Sequence, residues 1–389
     1  MDRRAFLAAL ARAGMGASAL ASLPPWARQA LAATDAGPDF IVRNDRPEHF
    51  ETTLEALGHS WLTRNDRFFV RSHLSVPSIE ASTWRLEVNG LVSTPLTLSL
   101  ADLKQLPRVE SVHTLECAGN GRGLFELPST SGTQWWRGAV GTASWGGVRL
   151  ASVLQRAGVR PEAKHVWLEA ADQAPMPNAP KFLRSIPIEK AMDDVLLADT
   201  MNGEPLPALH GAPLRAVVPG WFGMASTKWL TALRVEDRPS DNHFMSRDYH
   251  LAYAGADPAA SAAVETLLVK SLITSPLDGT SVVGETSAPN QAPTVRVQGF
   301  AWAGPAGVRA VEISTDDGTT WHHADFVGDT APNAWRAWAG LIPVKPPSRI
   351  TVMARATDND GRQQPLVARV NAAGYGNNSI HRVTFDVRA

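Results

Sequence analysis

The chain has 389 residues, 44% of them hydrophobic and 19% charged, with 37 Lys and Arg against 38 Asp and Glu. That is enough for two or three globular domains with an ordinary core, and it excludes a disordered or fibrous protein and the basic excess that binds nucleic acid through counterion release. The one cysteine, Cys117, excludes an intrachain disulfide, an iron–sulfur cluster, a Cys-pair zinc site and c-type haem attachment.

In chain order, residues 1–33 come first, with Arg3-Arg4, Phe6-Leu7, an alanine-rich apolar stretch broken by Arg12, and Ala30-Leu31-Ala32. They read as a twin-arginine-type signal peptide, so a periplasmic protein is expected. No stretch approaches the ~20 apolar residues of a membrane span, and no stable membrane insertion is expected. Twin-arginine export carries proteins that are already folded, which makes a bound cofactor worth seeking.

Residues 34–262 alternate short apolar runs with helical patterns and read as a mixed α/β domain. Trp84 to Val88 and Val112 to Leu115 predict strands, Ser99 predicts a cap before a helix from Leu100, and Leu150 to Ala157 predicts a helix. Val166 to Leu168 predicts another strand, and Leu214 to Val218 a buried strand stopped by Pro219-Gly220. Ala254 to Ala263, poor in large apolar residues, reads as a linker. Residues 263–389 switch to alternation, with Val295/Val297, Val311/Ile313, Ile350/Val352/Ala354 and Val383/Phe385/Val387 each on one strand face. This predicts an all-β sandwich, with a hairpin at Asp317-Gly318 and turns at Pro276 to Gly279 and Asp358 to Gly361. The fold class is therefore α+β, a mixed α/β domain followed by a β-sandwich.

Cys117 falls just past a predicted strand, in Cys117-Ala118-Gly119-Asn120-Gly121-Arg122-Gly123. Glycines let backbone N–H groups approach an anion, and an arginine favours the thiolate. The glycine spacing is not that of a dinucleotide fingerprint, and G-x-x-x-x-G-K-[ST] and H-E-x-x-H are absent. Two uses of the sulfur remain. A nucleophile needs a histidine base, and 11 histidines discriminate nothing. A thiolate ligand to a high-valent metal needs an organic cofactor to supply the other ligands. Spacing does not decide between them.

Five motifs carry a resemblance: Phe68-Phe69-Val70-Arg71-Ser72-His73-Leu74, Leu115 to Asn120, Met201 to Pro207 with His210-Gly211, Arg215 to Gly220, and Lys228-Trp229-Leu230. In order and spacing they resemble the sulfite oxidase family of molybdenum enzymes. The resemblance extends into an Ig-like dimerisation domain through Ser275-Pro276-x-Asp278-Gly279 and Gly299 to Trp302. It implies that Cys117 is the thiolate ligand of a molybdenum held by molybdopterin. Phe69, Val70, Arg71, Ser72 and His73 would touch the pterin, and Asp172, His210, Arg215, Ser226, Thr227 and Lys228 would hold its pterin and phosphate ends. Arg71, Arg122, Trp135 and Tyr249 would line the substrate pocket and draw in a small oxyanion such as sulfite.

The implied chemistry is transfer of an oxygen atom to the lone pair of the substrate's central atom, with the two electrons then leaving one at a time. The implied assembly is a homodimer. With no haem expected in this chain, electrons would pass to a separate acceptor, a c-type cytochrome. One departure stands out: a third pocket arginine of sulfite-oxidising members aligns with Ala373. A charge-assisted contact is worth roughly 1.5–3 kcal/mol, so its loss would weaken sulfite binding about tenfold or more. Rival substrates are a protein-bound sulfane sulfur or a sulfoxide worked in reverse. A metal-free oxyanion-binding module and a thiol hydrolase are the readings from other classes.

Overall fold

The structure is a computed structural model that describes residues 37–125, 130–172, 180–253, 261–286 and 291–388. Residues 1–33, expected to be a signal peptide, and most of the expected Ala254–Ala263 linker lie outside the described residues.

The elements follow the hydrophobic patterning. Strands β1 (Phe40–Asn44), β2 (His49–Thr52) and β3 (Val70–Arg71) form a small sheet, with helix α1 (Leu54–Gly58) between the last two. Next come β4 (Leu86–Gly90), β5 (Leu96–Leu98), α2 (Leu100–Leu103), β6 (Arg108–Glu116), β7 (Val140–Arg149), α3 (Leu150–Ala157), β8 (His165–Ala170), β9 (Leu183–Pro187) and α4 (Ile188–Asp193). The α/β half closes with β10 (Leu196–Met201), β11 (Glu204–Pro205), β12 (Arg215–Val217), β13 (Leu230–Glu236) and α5 (His243–Ser246). A short ribbon, β14 (His250–Leu251) with β15 (Ala262–Ala263), follows, so the last two residues of the expected linker are paired strand. The final eight strands are β16 (Lys270–Ser275), β17 (Ser281–Val283), β18 (Thr294–Trp302), β19 (Val308–Ser314), β20 (His322–Val327), β21 (Arg336–Pro343), β22 (Ser348–Asp358) and β23 (His381–Arg388).

Two five-stranded sheets build the first half. One runs β11-β10-β7-β6, with β12 also paired to β10, and the other runs β5-β4-β13-β8-β9. Only β4 and β13 pair in parallel in the second sheet; its other neighbours are antiparallel. Helix α3 fills the space between the sheets. Its Leu150, Val153, Leu154 and Ala157 are buried at the i, i+3, i+4, i+7 spacing of one helical face. Gly158 ends it in the left-handed conformation at φ 71°, where its N–H bonds to Leu154 and Gln155 carbonyls. Helix α2 has a full capping box between Ser99 and Asp102, which holds so short a segment helical.

The sandwich strands follow the order β16-β18-β21-β20-β19-β22-β23-β17, with β20 paired on both sides. Their inward residues Val297, Val311, Ala354, Val383 and Phe385 share one core with Trp338. The expected hairpin joins β19 to β20. Asp317 and Gly318 both take positive φ, 54° and 84°, but the first paired residues are Ile313 and His322, a wider loop than a two-residue turn. The Asp316 carboxylate accounts for the width, because it accepts hydrogen bonds from Ser314 and from both the backbone and the hydroxyl of Thr320.

A third apolar cluster joins the halves. It unites Leu57, Val140, Phe182 and Phe222 with Phe300, Trp302 and Trp335 of the C-terminal half. Trp61 and Trp335 each donate an indole hydrogen bond to the other's backbone carbonyl, at 3.1 and 2.7 Å. Among the described residues no helix is long and apolar enough to cross a membrane.

Candidate functional site

Cys117 stands where β6 ends. Its backbone N–H bonds to the Ala139 carbonyl at 2.9 Å, and its carbonyl receives the Asn120 N–H at 2.8 Å, which turns the chain sharply. Two glycines make the turn possible. Gly121 sits at φ 90°, and a Cβ on Gly119 would meet the Arg122 guanidinium at 2.8 Å.

Cys117 lines a cavity. Along the segment that includes β3, Phe68, Phe69, Arg71 and His73 line it. Val70 and Ser72 face the other way, as strand periodicity dictates. Asp172 reaches the cavity from the end of β8, His210 and Arg215 from a short 3-10 turn and β12, Ser226 and Lys228 from the stretch before β13, and Tyr249 from the segment after α5. Ten of the residues nominated from sequence, with Cys117 among them, thus meet in one place although they span 181 positions from Phe69 to Tyr249. Of the remainder, Ser72 supports Lys228 by accepting from Nζ at 3.1 Å. Thr227 is buried, and its hydroxyl has no partner. Trp135 does not line the cavity; it is buried behind His49, with ring centroids 5.7 Å apart. Arg122 also lies outside the lining. Its Nε donates to the Ala373 carbonyl at 2.8 Å and its Nη1 to the Thr133 carbonyl at 3.0 Å.

The electrostatics of the cavity are lopsided. Arg215 is buried and spends donors on the backbone carbonyls of His210 and Ser226 at 3.0 and 2.9 Å, and burial lowers it to about 9. Lys228 is pushed well below the usual lysine value by burial, with Arg215 and Arg71 adding repulsion. Arg71 keeps a buried Nη1 with no partner among the described residues. Against these three basic groups stands Asp172, whose Oδ1 is also buried without a partner and whose carboxyl burial raises to about 6. Burying charge without partners costs several kcal/mol per ion, so such a constellation points to a ligand that completes it. A phosphate-bearing pterin fits: the cationic groups suit the phosphate, Asp172 can accept from pterin N–H groups, and Cys117 offers a soft ligand to the metal.

A second constellation flanks the sulfur. The Tyr249 hydroxyl bonds to Nε2 of His73, whose ring stacks on Phe182 at 4.0 Å. Tyr249 takes a left-handed φ of 62°, a costly backbone for a bulky residue and one that recurs at functional sites. Burial raises its phenol above the ordinary value and keeps it protonated, and burial holds the His73 imidazole neutral. Tyr375 stacks on Tyr249 at 5.0 Å, with Arg122 over its outer face at 5.2 Å and Arg184 over Tyr249 at 5.1 Å. Tyr375, Arg184 and Phe182 escaped the sequence reading. Arg184, a charged residue inside a buried strand, offered a signal; Tyr375 offered none, since it arrives on a loop from the far end of the chain. That loop docks through Gly376 N–H to the Ala118 carbonyl and Asn377 to the Gly121 carbonyl, at 2.8 and 2.9 Å.

Comparison with known proteins places this geometry. Residues 73–244 match the oxidoreductase molybdopterin binding domain, and residues 261–388 match the Mo-co oxidoreductase dimerisation domain. Mitochondrial sulfite oxidase of Rattus norvegicus is 36% identical over 371 residues, which cover 90% of this chain and 66% of that protein. Sulfite oxidase of Arabidopsis thaliana is 31% identical, covering 89% of this chain and 93% of that one. The crystal structure of the sulfane dehydrogenase SoxCD from Paracoccus pantotrophus is similar with a TM-score of 0.74 at 30% identity, over 88% of this chain and 87% of that chain. With a cysteine sulfur at an anion-hungry cavity and both domain types in the order found here, the chain belongs to the sulfite oxidase family of molybdopterin-dependent oxidoreductases.

Proposed function

We propose that this protein oxidises a small sulfur oxyanion, sulfite first, and passes the electrons to a separate c-type cytochrome. In this reading it works in the periplasm as a homodimer, after twin-arginine export. The observation that carries the substrate class is Arg71, whose unpartnered Nη1 lies in the same cavity as Cys117 and Tyr249. A guanidinium with a buried, free donor attracts an oxyanion and aligns it through charge-assisted hydrogen bonds.

When bound, the cofactor supplies the oxygen-atom exchange and the route for the electron pair. The chain does the rest. Cys117 would hold the metal, while Arg215, Lys228, Asp172 and Ser226 would seat the pterin and its phosphate. Arg71 draws the substrate in and neutralises its charge. Tyr249, protonated and oriented by the neutral His73, offers a hydroxyl that donates to a substrate oxygen. Phe69, Phe182 and Met224 keep the cavity walls apolar, which strengthens each of these polar contacts.

One observation favours a second substrate. Arg122 spends two donors on the Ala373 and Thr133 carbonyls and stacks on Tyr375, so it adds less to anion binding than a free guanidinium. A less charged sulfur, such as a protein-bound sulfane, suits a pocket with a single free guanidinium. Purification from cells able to make the cofactor is expected to give protein containing molybdenum and catalysing sulfite-dependent cytochrome c reduction, with Cys117→Ser abolishing the turnover. Molybdenum without sulfite activity would shift the reading to the sulfane substrate; protein without molybdenum would end it.

A further inference from the structure

The residue before the cysteine is a buried carboxylate that reaches across to the C-terminal sandwich. Glu116 Oε1 accepts from Lys270 Nζ at 2.8 Å and from Asn120 Nδ2 at 2.9 Å, and Oε2 accepts from Trp302 Nε1 at 2.8 Å. The side chains of Lys270 and Glu116 are each 3% exposed. Lys270 opens β16 and Trp302 closes β18, and the two residues are directly paired across those strands. Three donors from three parts of the chain therefore fix one carboxylate whose backbone is bonded directly to Cys117.

A buried ion pair is a poor way to gain stability, since well-packed apolar residues serve as well or better. What the pair supplies is direction. Asn120 completes the frame: its Oδ1 accepts from the Ala139 N–H at 3.2 Å, while the Cys117 N–H donates to the carbonyl of the same Ala139. Glu116, Cys117 and Asn120 are thus held between β7 on one side and the sandwich on the other. The cluster is complete among the described residues, in contrast to Arg71 and Asp172, which keep unmatched atoms at the cavity.

We propose that Lys270 and Trp302 are positioning residues for Cys117: through Glu116, the sandwich sets the orientation of the sulfur in the cofactor cavity. The sandwich then contributes to the metal site directly, beyond the dimerisation its family model denotes. The inference rests on the assignment of Cys117 as metal ligand. The device also ties the metal-binding turn to whether the sandwich is docked.

The test uses the full-length holoenzyme with Lys270→Met and Trp302→Phe, each of which removes one arm to Glu116. Trp335→Phe is the control; it cuts the Trp61 hydrogen bond of the same seam without touching Glu116. Both test variants are expected to lower kcat several-fold with KM unchanged and to shift the sulfur-to-metal charge-transfer absorption, while Trp335→Phe lowers only the unfolding temperature. Unchanged absorption and kcat in Trp302→Phe would overturn the proposal, as would equal losses in Trp302→Phe and Trp335→Phe. Trp302→Phe carries the test if Lys270→Met does not fold. A parallel measurement on the full chain made without cofactor follows alkylation of Cys117 by iodoacetamide. A changed rate in Trp302→Phe but not Trp335→Phe supports the positioning of the sulfur even if the wild-type protein proves to lack molybdenum, and an unchanged rate counts against it.

Discussion

The cofactor cavity leaves charged groups unmatched, whereas the unmatched buried side-chain atoms of the β-sandwich, in Ser271, Trp338 and Ser348, are neutral. In the sandwich, alternation puts Val297, Val311, Val383 and Phe385 inside, and the buried His381 is satisfied, its Nδ1 accepting from the Ile273 N–H at 2.9 Å. In the cavity, Arg71 Nη1 and Asp172 Oδ1 are buried with no partner among the described residues. The first arrangement is stable by itself. The second is complete only with an anionic ligand in place, and its cost is the trace of function left in the protein alone. Between them, the Glu116–Lys270 pair is charged yet fully matched, which marks it as architecture and not as a receptor.

Three measurements on the cofactor-free chain test this contrast. The largest effect belongs to the sandwich: Phe385→Ala, at a fully buried position, is expected to cost about 3–5 kcal/mol in denaturant unfolding by leaving a cavity. A loss below about 1 kcal/mol would contradict a close-packed sandwich core. Acidification comes next. Burial depresses His113 in β6 from 6.5 to about 4. A group with a depressed folded-state value contributes stability that is complete above 6.5 and disappears as pH falls toward 4. From pH 7 to pH 5 this one histidine should cost on the order of 2 kcal/mol, and His113→Gln should flatten the pH dependence of the unfolding midpoint. An equally steep profile in the variant would assign the loss elsewhere. The smallest effect has the opposite sign. Lys228→Met removes a buried amine that donates to Ser72 and the Leu209 carbonyl but has no ion-pair partner among the described residues, so the variant should unfold no more easily than wild type and gain about 1 kcal/mol or more, while retaining less pterin when purified from cofactor-producing cells. Clear destabilisation would show that Lys228 is structural.

Much of the architecture was legible locally. The apolar spacing of Leu150, Val153, Leu154 and Ala157, ended by Gly158, predicts α3, because a helix needs only its own face and its own stop signal. Ser99 with Asp102 marks α2 in the same way, and period-two alternation marks the sandwich strands. The turn at Asp317-Gly318, expected between runs ending at Ser314 and starting at Trp321, joins strands that end at Ser314 and begin at His322, and side-chain bonds to Asp316 shape its loop. The site divides similarly. Cys117, Arg71, His73 and Lys228 sit in ordered motifs that resemble a family, and all of them line the cavity, as does Tyr249 from outside those motifs. Arg122 and Trp135, which the resemblance implies as pocket residues from outside those motifs, are not in the lining. Motif membership records proximity along the chain, whereas a lining position depends on which way a side chain is drawn by its partners.

The sequence alone determined the order of the elements, the single sulfur at the end of a strand, and the cations available to an anionic ligand, because each of these follows from residue type and near-neighbour spacing. Only the tertiary structure decided that Tyr375 stacks on Tyr249 across 126 positions, that Arg122 turns its donors to the Ala373 and Thr133 carbonyls, and that Lys270 reaches Glu116 across 154. Such contacts exist because two halves share a core at Phe300, Trp302 and Trp335, and no local pattern encodes which distant group a buried charge will find there.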